Sequence, residues 1–110
     1  MAQYNLKEQD YRVALKAAMV INAVTDALDA MTGVAARWLD RGLTEEAANL
    51  LFYVTHHPDV RHDTFDYADE RWLELEATIC PRVIEDARAF NLGKTLNTVA
   101  TYITTIDLTT

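Results

Sequence analysis

Residues 25–60 read TDALDAMTGVAARWLDRGLTEEAANLLFYVTHHPDV. Leu28, Met31, Ala35, Trp38 and Leu39 follow at steps of three, four, three and one, so a 3.6-residue helix lines them up on one stripe. That helix is expected to stop near Arg41-Gly42, because glycine takes the left-handed backbone that closes a helix without steric cost. Thr44 is placed to cap the next helix, with Glu45 and Glu46 in the turn where the helix dipole favours carboxylates. A second apolar stripe follows at Ala47, Leu50, Leu51 and Val54. The stretch therefore predicts two antiparallel helices joined by a tight turn.

The rest of the chain looks like partial copies of this hairpin. A shift of about 34 residues, the period of a tetratricopeptide repeat, carries Met31 and Trp38 onto Phe65 and Trp72, two more large residues on an apolar stripe. In the spacing of that repeat Met31, Val34, Ala35 and Trp38 fill first-helix places and Ala47 the small second-helix place. Leu51 and Val54 take packing positions, and Pro58 falls one residue before the usual closing proline. The hairpin thus resembles a tetratricopeptide repeat in type. The period fails at Pro81, which stands where the small residue should be.

Composition sets the class. Of 110 residues half are hydrophobic, with only 3 Gly and 2 Pro, which favours helix over sheet. We expect one all-α domain of about six helices over residues 1–110, with 1–60 repeat-like and 61–110 a degenerate repeat and cap. A net charge of -7 with ten scattered Lys and Arg argues against a nucleic-acid surface. Cys80 has no internal disulfide partner, and MAQYNLKEQD lacks the basic and apolar regions of a signal peptide, so a cytoplasmic setting is expected. The longest uncharged run near the front, Ala17 to Thr25, is far too short for a membrane helix, which needs about 20 apolar residues, so a soluble protein is expected.

In chain order, a helix from Leu6 to about Asn22 is expected to bury Tyr11, Ala14, Leu15, Ala18 and Ile21. It reads as the second helix of a repeat whose first helix is missing. Val13, Met19 and Val20 lie on its other sides and form a candidate interaction surface, either for upstream repeats or for a second copy in a homodimer. Pro58 ends the third helix, and Asp63 or Thr64 is placed to cap a fourth with the stripe Phe65, Ala68, Trp72, Leu75 and Ile79. Its other face, with Asp66, Asp69, Glu70, Glu74 and Glu76, reads as solvated. Pro81 opens a fifth helix with Val83, Ile84, Ala87 and Phe90 inward, broken at Asn91-Leu92-Gly93. Thr95 caps a sixth with Leu96, Val99, Ala100 and Ile103 inward, and the β-branched tail from Thr104 to Thr110 is expected to fray.

Candidate chemistry is sparse. His56, His57 and His62 stand near Asp59 and Asp63, a donor set that suits zinc or copper, but at no recognised ligand spacing. We read them as structural, with a small metal-binding or enzymatic protein as the alternative. Cys80 sits at a helix start, where a thiol can be activated, yet no base is placed for it, and a buried structural thiol is expected. Trp38 and Trp72 read as core rather than as a ligand pocket. No phosphate loop, His-Glu-x-x-His or Gly-x-Ser-x-Gly is present, so neither an enzyme nor a cofactor is expected.

From about Ala14 to Ile103 the order of signals resembles the C-terminal end of the tetratricopeptide-like arrays of large bacterial signal-transduction ATPases (the STAND class) and related transcriptional activators. The resemblance rests on THHPDV, on the Thr64-Phe65-Asp66-Tyr67-Ala68 start of a helix, on PRVIEDARAF and on TLNTVATYI. It departs at Cys80, where such sequences carry a second proline. What the resemblance implies is a non-enzymatic sensor or scaffold segment binding a protein, peptide or small ligand on a concave face.

Overall fold

Asn22 (φ 57°) and Gly42 (φ 79°) cut the first half of the chain into three helices. Each lets the following amide reach back five residues, Ala23 N–H to Ala18 C=O at 2.8 Å and Leu43 N–H to Trp38 C=O at 2.9 Å, so the last carbonyls are satisfied as the chain reverses. The computed structural model describes residues 4–105, and among them all regular structure is helical. The elements are α1 (Glu8–Val20), α2 (Val24–Asp40), α3 (Thr44–Thr55), α4 (His62–Thr78), α5 (Pro81–Asn91) and α6 (Leu96–Thr105). The all-α expectation and the number of helices hold.

Helix α2 is the hub. It packs on α1, α3 and α4, and α3 also packs on α4 and α5. Ala27, Ala30, Gly33, Ala35 and Ala36 keep its surface narrow, so neighbours close in on several sides. Leu28, Met31, Val34 and Trp38 then fill the space between. The expected stripes of α2 and α3 are buried, Leu39 partly, and so are the centres of those on α4, α5 and α6. Trp38 and Trp72 are both core residues. No helix among the described residues is long and apolar enough to cross a membrane.

Several local expectations are corrected. Helix α1 ends at Val20, and the turn at Asn22 swings Ile21 out to 72 % exposure; Ala14 is exposed as well. Thr44 does not cap α3, because it is already the first helical residue and Leu43 occupies the cap position. Neither Asp63 nor Thr64 caps α4, which begins at His62 after Arg61. The Thr64 hydroxyl is engaged with Asp29 instead. Cys80 is exposed, not buried, as the residue preceding Pro81 at the start of α5. Thr95 does cap α6, its hydroxyl accepting the Thr98 N–H at 3.2 Å. Of the tail expected to fray, Thr104 and Thr105 are helical, and 106–110 lie outside the described residues.

The largest difference is long-range. Helix α6 returns to pack on α1. Arg12 donates to the Ile103 carbonyl, Ile103 is fully buried, and the Tyr102 ring meets the edges of Trp38 and Phe90 at 6.3 and 4.7 Å. The last helix therefore lies against the first. Leu51, fully buried between these layers, reports on the whole arrangement: Leu51→Ala should destabilise the protein by about 2–5 kcal/mol in urea unfolding, and a loss below about 0.5 kcal/mol would mean that α3 is misplaced.

Candidate functional site

Along α2 the residues Asp29, Gly33 and Arg37 stand four apart, and along α4 Thr64, Tyr67 and Arg71 stand three and four apart. Both series lie on single helix faces. The segment ahead of α1, residues 4–7, runs without regular structure along the face they form and is held there by side chains. Arg37 Nη2 donates to the Tyr4 carbonyl at 2.7 Å, and the Leu6 N–H donates to the Tyr11 hydroxyl at 3.0 Å. The Tyr4 phenol donates to Asp29 Oδ1 at 2.6 Å, and the Thr64 hydroxyl donates to the same oxygen at 3.1 Å. Arg61 approaches that carboxylate at 3.6 Å, closing a polar cluster around it.

Packing completes the grip. Tyr4 is only 4 % exposed, with its ring tilted against Tyr67 at 4.6 Å and Tyr11 at 6.1 Å, separations at which aromatic pairs attract. Arg71 lies over the outer side of Tyr67, 5.2 Å from its centroid. Gly33 makes room for Tyr11: a Cβ there would stand 2.3 Å from the tyrosine ring. Residues 4–7 are thus held by two main-chain hydrogen bonds and by burial of the Tyr4 ring.

Electrostatics agree with the geometry. Burial, and then the hydrogen bond and charge of Asp29, push the Tyr4 phenol well above its ordinary range. Beside the groove, Glu8 pairs with Arg12 at 2.9 Å and with Arg41. Burial opposes its charge, but Arg41, Arg12 and the nearby Trp38 indole outweigh it and hold the carboxyl below the usual range. The Trp38 N–H is itself buried without a hydrogen-bond partner of good geometry; the Glu8 carboxylate is the charge it favours.

The residues singled out in the sequence lie elsewhere. Val13 (57 % exposed) and Val20 (80 %) are on the open side of α1, whereas Met19 is half-buried against the core. His56 stacks on Phe52 at 4.1 Å and bonds the Phe52 carbonyl through Nδ1, while the His57 ring meets Tyr53 edge-on at 5.6 Å. Both line a cleft of about 410 Å³ with Asn91 and Lys94. His62 is on α4, paired with Asp66 at 3.3 Å. No three His, Cys, Asp or Glu side chains among the described residues converge to hold an ion. No protein-family model, curated protein or solved structure matches this chain.

Sequence reasoning missed Tyr4, Asp29, Arg37 and Tyr67. The available signal was Asp29, Gly33 and Arg37, which recur along α2 at a constant spacing of four.

Tyr4 is neutral when protonated, and its folded value lies above the ordinary 10.0. Its contribution is therefore full below pH 10 and is lost as pH rises beyond it. Tyr4→Phe should cost about 1.5–3 kcal/mol at neutral pH, as for a hydrogen bond to a charged group. It should also flatten the alkaline loss of stability, in part only, since burial raises Tyr53, Tyr67 and Tyr102 as well. Urea unfolding between pH 7 and 11 checks both.

Proposed function

We infer that this chain is a non-enzymatic helical interaction module that holds an extended segment of a protein partner along the α2/α4 face. The observation that carries this reading is how residues 4–7 are held there: the Tyr4 carbonyl by Arg37 of α2, the Tyr4 side chain by Asp29 of α2, and the Leu6 amide by Tyr11 of the adjoining α1. Main-chain anchoring of an extended segment, with a pocket for a chosen side chain, is a general mode of peptide recognition. The resemblance to the end of a tetratricopeptide-like array points the same way and suggests a sensor or scaffold role in bacterial signalling or transcription regulation, in the cytoplasm. The metal or enzyme alternative would need His56, His57 and His62 to act together, and they point to separate partners.

Selection from a random peptide display library against the intact chain tests the reading. Enriched peptides should lose at least about ten-fold in affinity for Arg37→Ala, checked for native helicity by circular dichroism. Peptides that bind the native and Arg37→Ala chains equally would place recognition outside this groove.

A stand-alone homodimer is the second reading, favoured by the exposure of Val13, Val20 and Ile21 on the side of α1 left open by α2 and α6. Clustered exposed apolar side chains commonly mark association surfaces. Light scattering at a few hundred micromolar should then report a dimer that Val20→Glu dissociates; a monomer in both cases removes the dimer and leaves the groove unaffected.

A further inference from the structure

We propose that residues 4–7 are a built-in competitor: they occupy the groove in the same chain as a latch, and the partner that displaces them is an extended protein segment presenting an unmodified tyrosine. This rests on the groove being the binding site inferred above and adds what it selects and what restrains it.

The selectivity follows from the pocket floor. Asp29 Oδ1 accepts from the Tyr4 phenol and the Thr64 hydroxyl, so the position opposite a ligand ring is an acceptor that wants an O–H. A phenylalanine would leave that acceptor, on a side chain about one-third exposed, without its shortest hydrogen bond, and hydrogen-bonding sites reject analogues that lack the group more strongly than apolar pockets reject a missing methylene. A phosphorylated tyrosine would bring roughly two negative charges against Asp29, with Asp26 and Asp63 gathered around the same Arg61. The walls, Tyr67 and Tyr11, are shaped for a ring. Beyond that pocket the anchors are the carbonyl of the tyrosine itself and the amide two residues on, groups that any extended segment offers.

The latch follows from connectivity. Tyr4 is joined to α1 through only three intervening residues before Glu8, and Leu6 in that link is 54 % exposed, held by its amide rather than by side-chain burial. The segment touches no helix hydrogen-bond ladder until Lys7, whose carbonyl accepts from Asp10 and Tyr11. The packing of α1 on α2 and of α4 on α3 and α2 is made by the helices themselves, so departure of the segment removes the Tyr4 contacts while the Thr64 bond to Asp29 stays. A tethered occupant competes at a local concentration in the millimolar range, so an external segment binds only to the fraction of molecules whose latch is open, and its apparent affinity falls by that fraction.

The test uses a fluorescein-labelled peptide, QYNLKEQ, the sequence of residues 3–9, titrated by anisotropy into the native chain and into Tyr4→Ala. Binding at least about ten-fold tighter to Tyr4→Ala, lost when the peptide tyrosine is replaced by phenylalanine or phosphotyrosine, is the expected result. Equal affinity for both chains would overturn the latch and leave the groove standing. No binding to either, with Tyr4→Ala still helical, would overturn the tyrosine specificity as well; the display selection then decides the groove separately. If Tyr4→Ala loses its fold, Tyr4→Phe replaces it, keeping the ring contacts and releasing only the Asp29 bond, with a gain of several-fold expected and none overturning the latch.

Discussion

A carboxylate on a closely packed helix has to be compensated, and Asp29 sets that condition for this molecule. Its side chain is about one-third exposed and accepts from Tyr4 and Thr64 while Arg61 stands at 3.6 Å. These partners come from the segment ahead of α1, from the α3–α4 turn and from α4. Satisfying this one group on α2 ties it to the segment ahead of α1 and to the start of α4, which are 25 and 35 positions away in sequence. The position of α4 against α2, and of residues 4–7 against both, depends on it.

The surrounding packing makes the arrangement possible. Small residues on α2 bring α1 near enough for Tyr11 to lie on Gly33, and that placement puts the Tyr11 hydroxyl where it receives the Leu6 amide. Tyr67 covers the other side of the Tyr4 ring, with Arg71 behind it. At the opposite end α6 folds back on α1, where Arg12 donates to the Ile103 carbonyl, while Tyr102 packs on Trp38 of α2. The packed helices thus present a face that holds the main chain and the ring of residues 4–7.

The helices were legible because they obey local rules. Glycine at 42, proline at 81 and threonine at 95 act within a few residues of themselves, and each does what its backbone chemistry dictates. The stripes on α2 and α3 follow from 3.6-residue periodicity alone. Thr44 and Thr64 fail as caps for a common reason: a capping residue is defined by where the backbone enters the helix, and that point lies one residue before Thr44 and three before Thr64. Thr64 in addition spends its hydroxyl on Asp29, a partner 35 positions away. The groove and the return of α6 were out of reach because an extended segment has no period, and pairings as distant as Tyr4 with Asp29 or Arg12 with Ile103 leave no trace in spacing. The signal that did exist, polar and glycine positions at 29, 33 and 37, is also what an ordinary solvated helix face presents.

A double-mutant cycle on Tyr4 and Asp29 addresses the central point most directly. Urea unfolding of the native chain, Tyr4→Phe, Asp29→Ala and the double variant gives the coupling between the phenol and the carboxylate. Residues bonded as described should couple by about 0.5–3 kcal/mol, the range for groups in one hydrogen-bonded network. A coupling within about 0.3 kcal/mol of zero, the behaviour of independent sites, would mean that Tyr4 does not occupy the α2/α4 face in solution and would contradict the account.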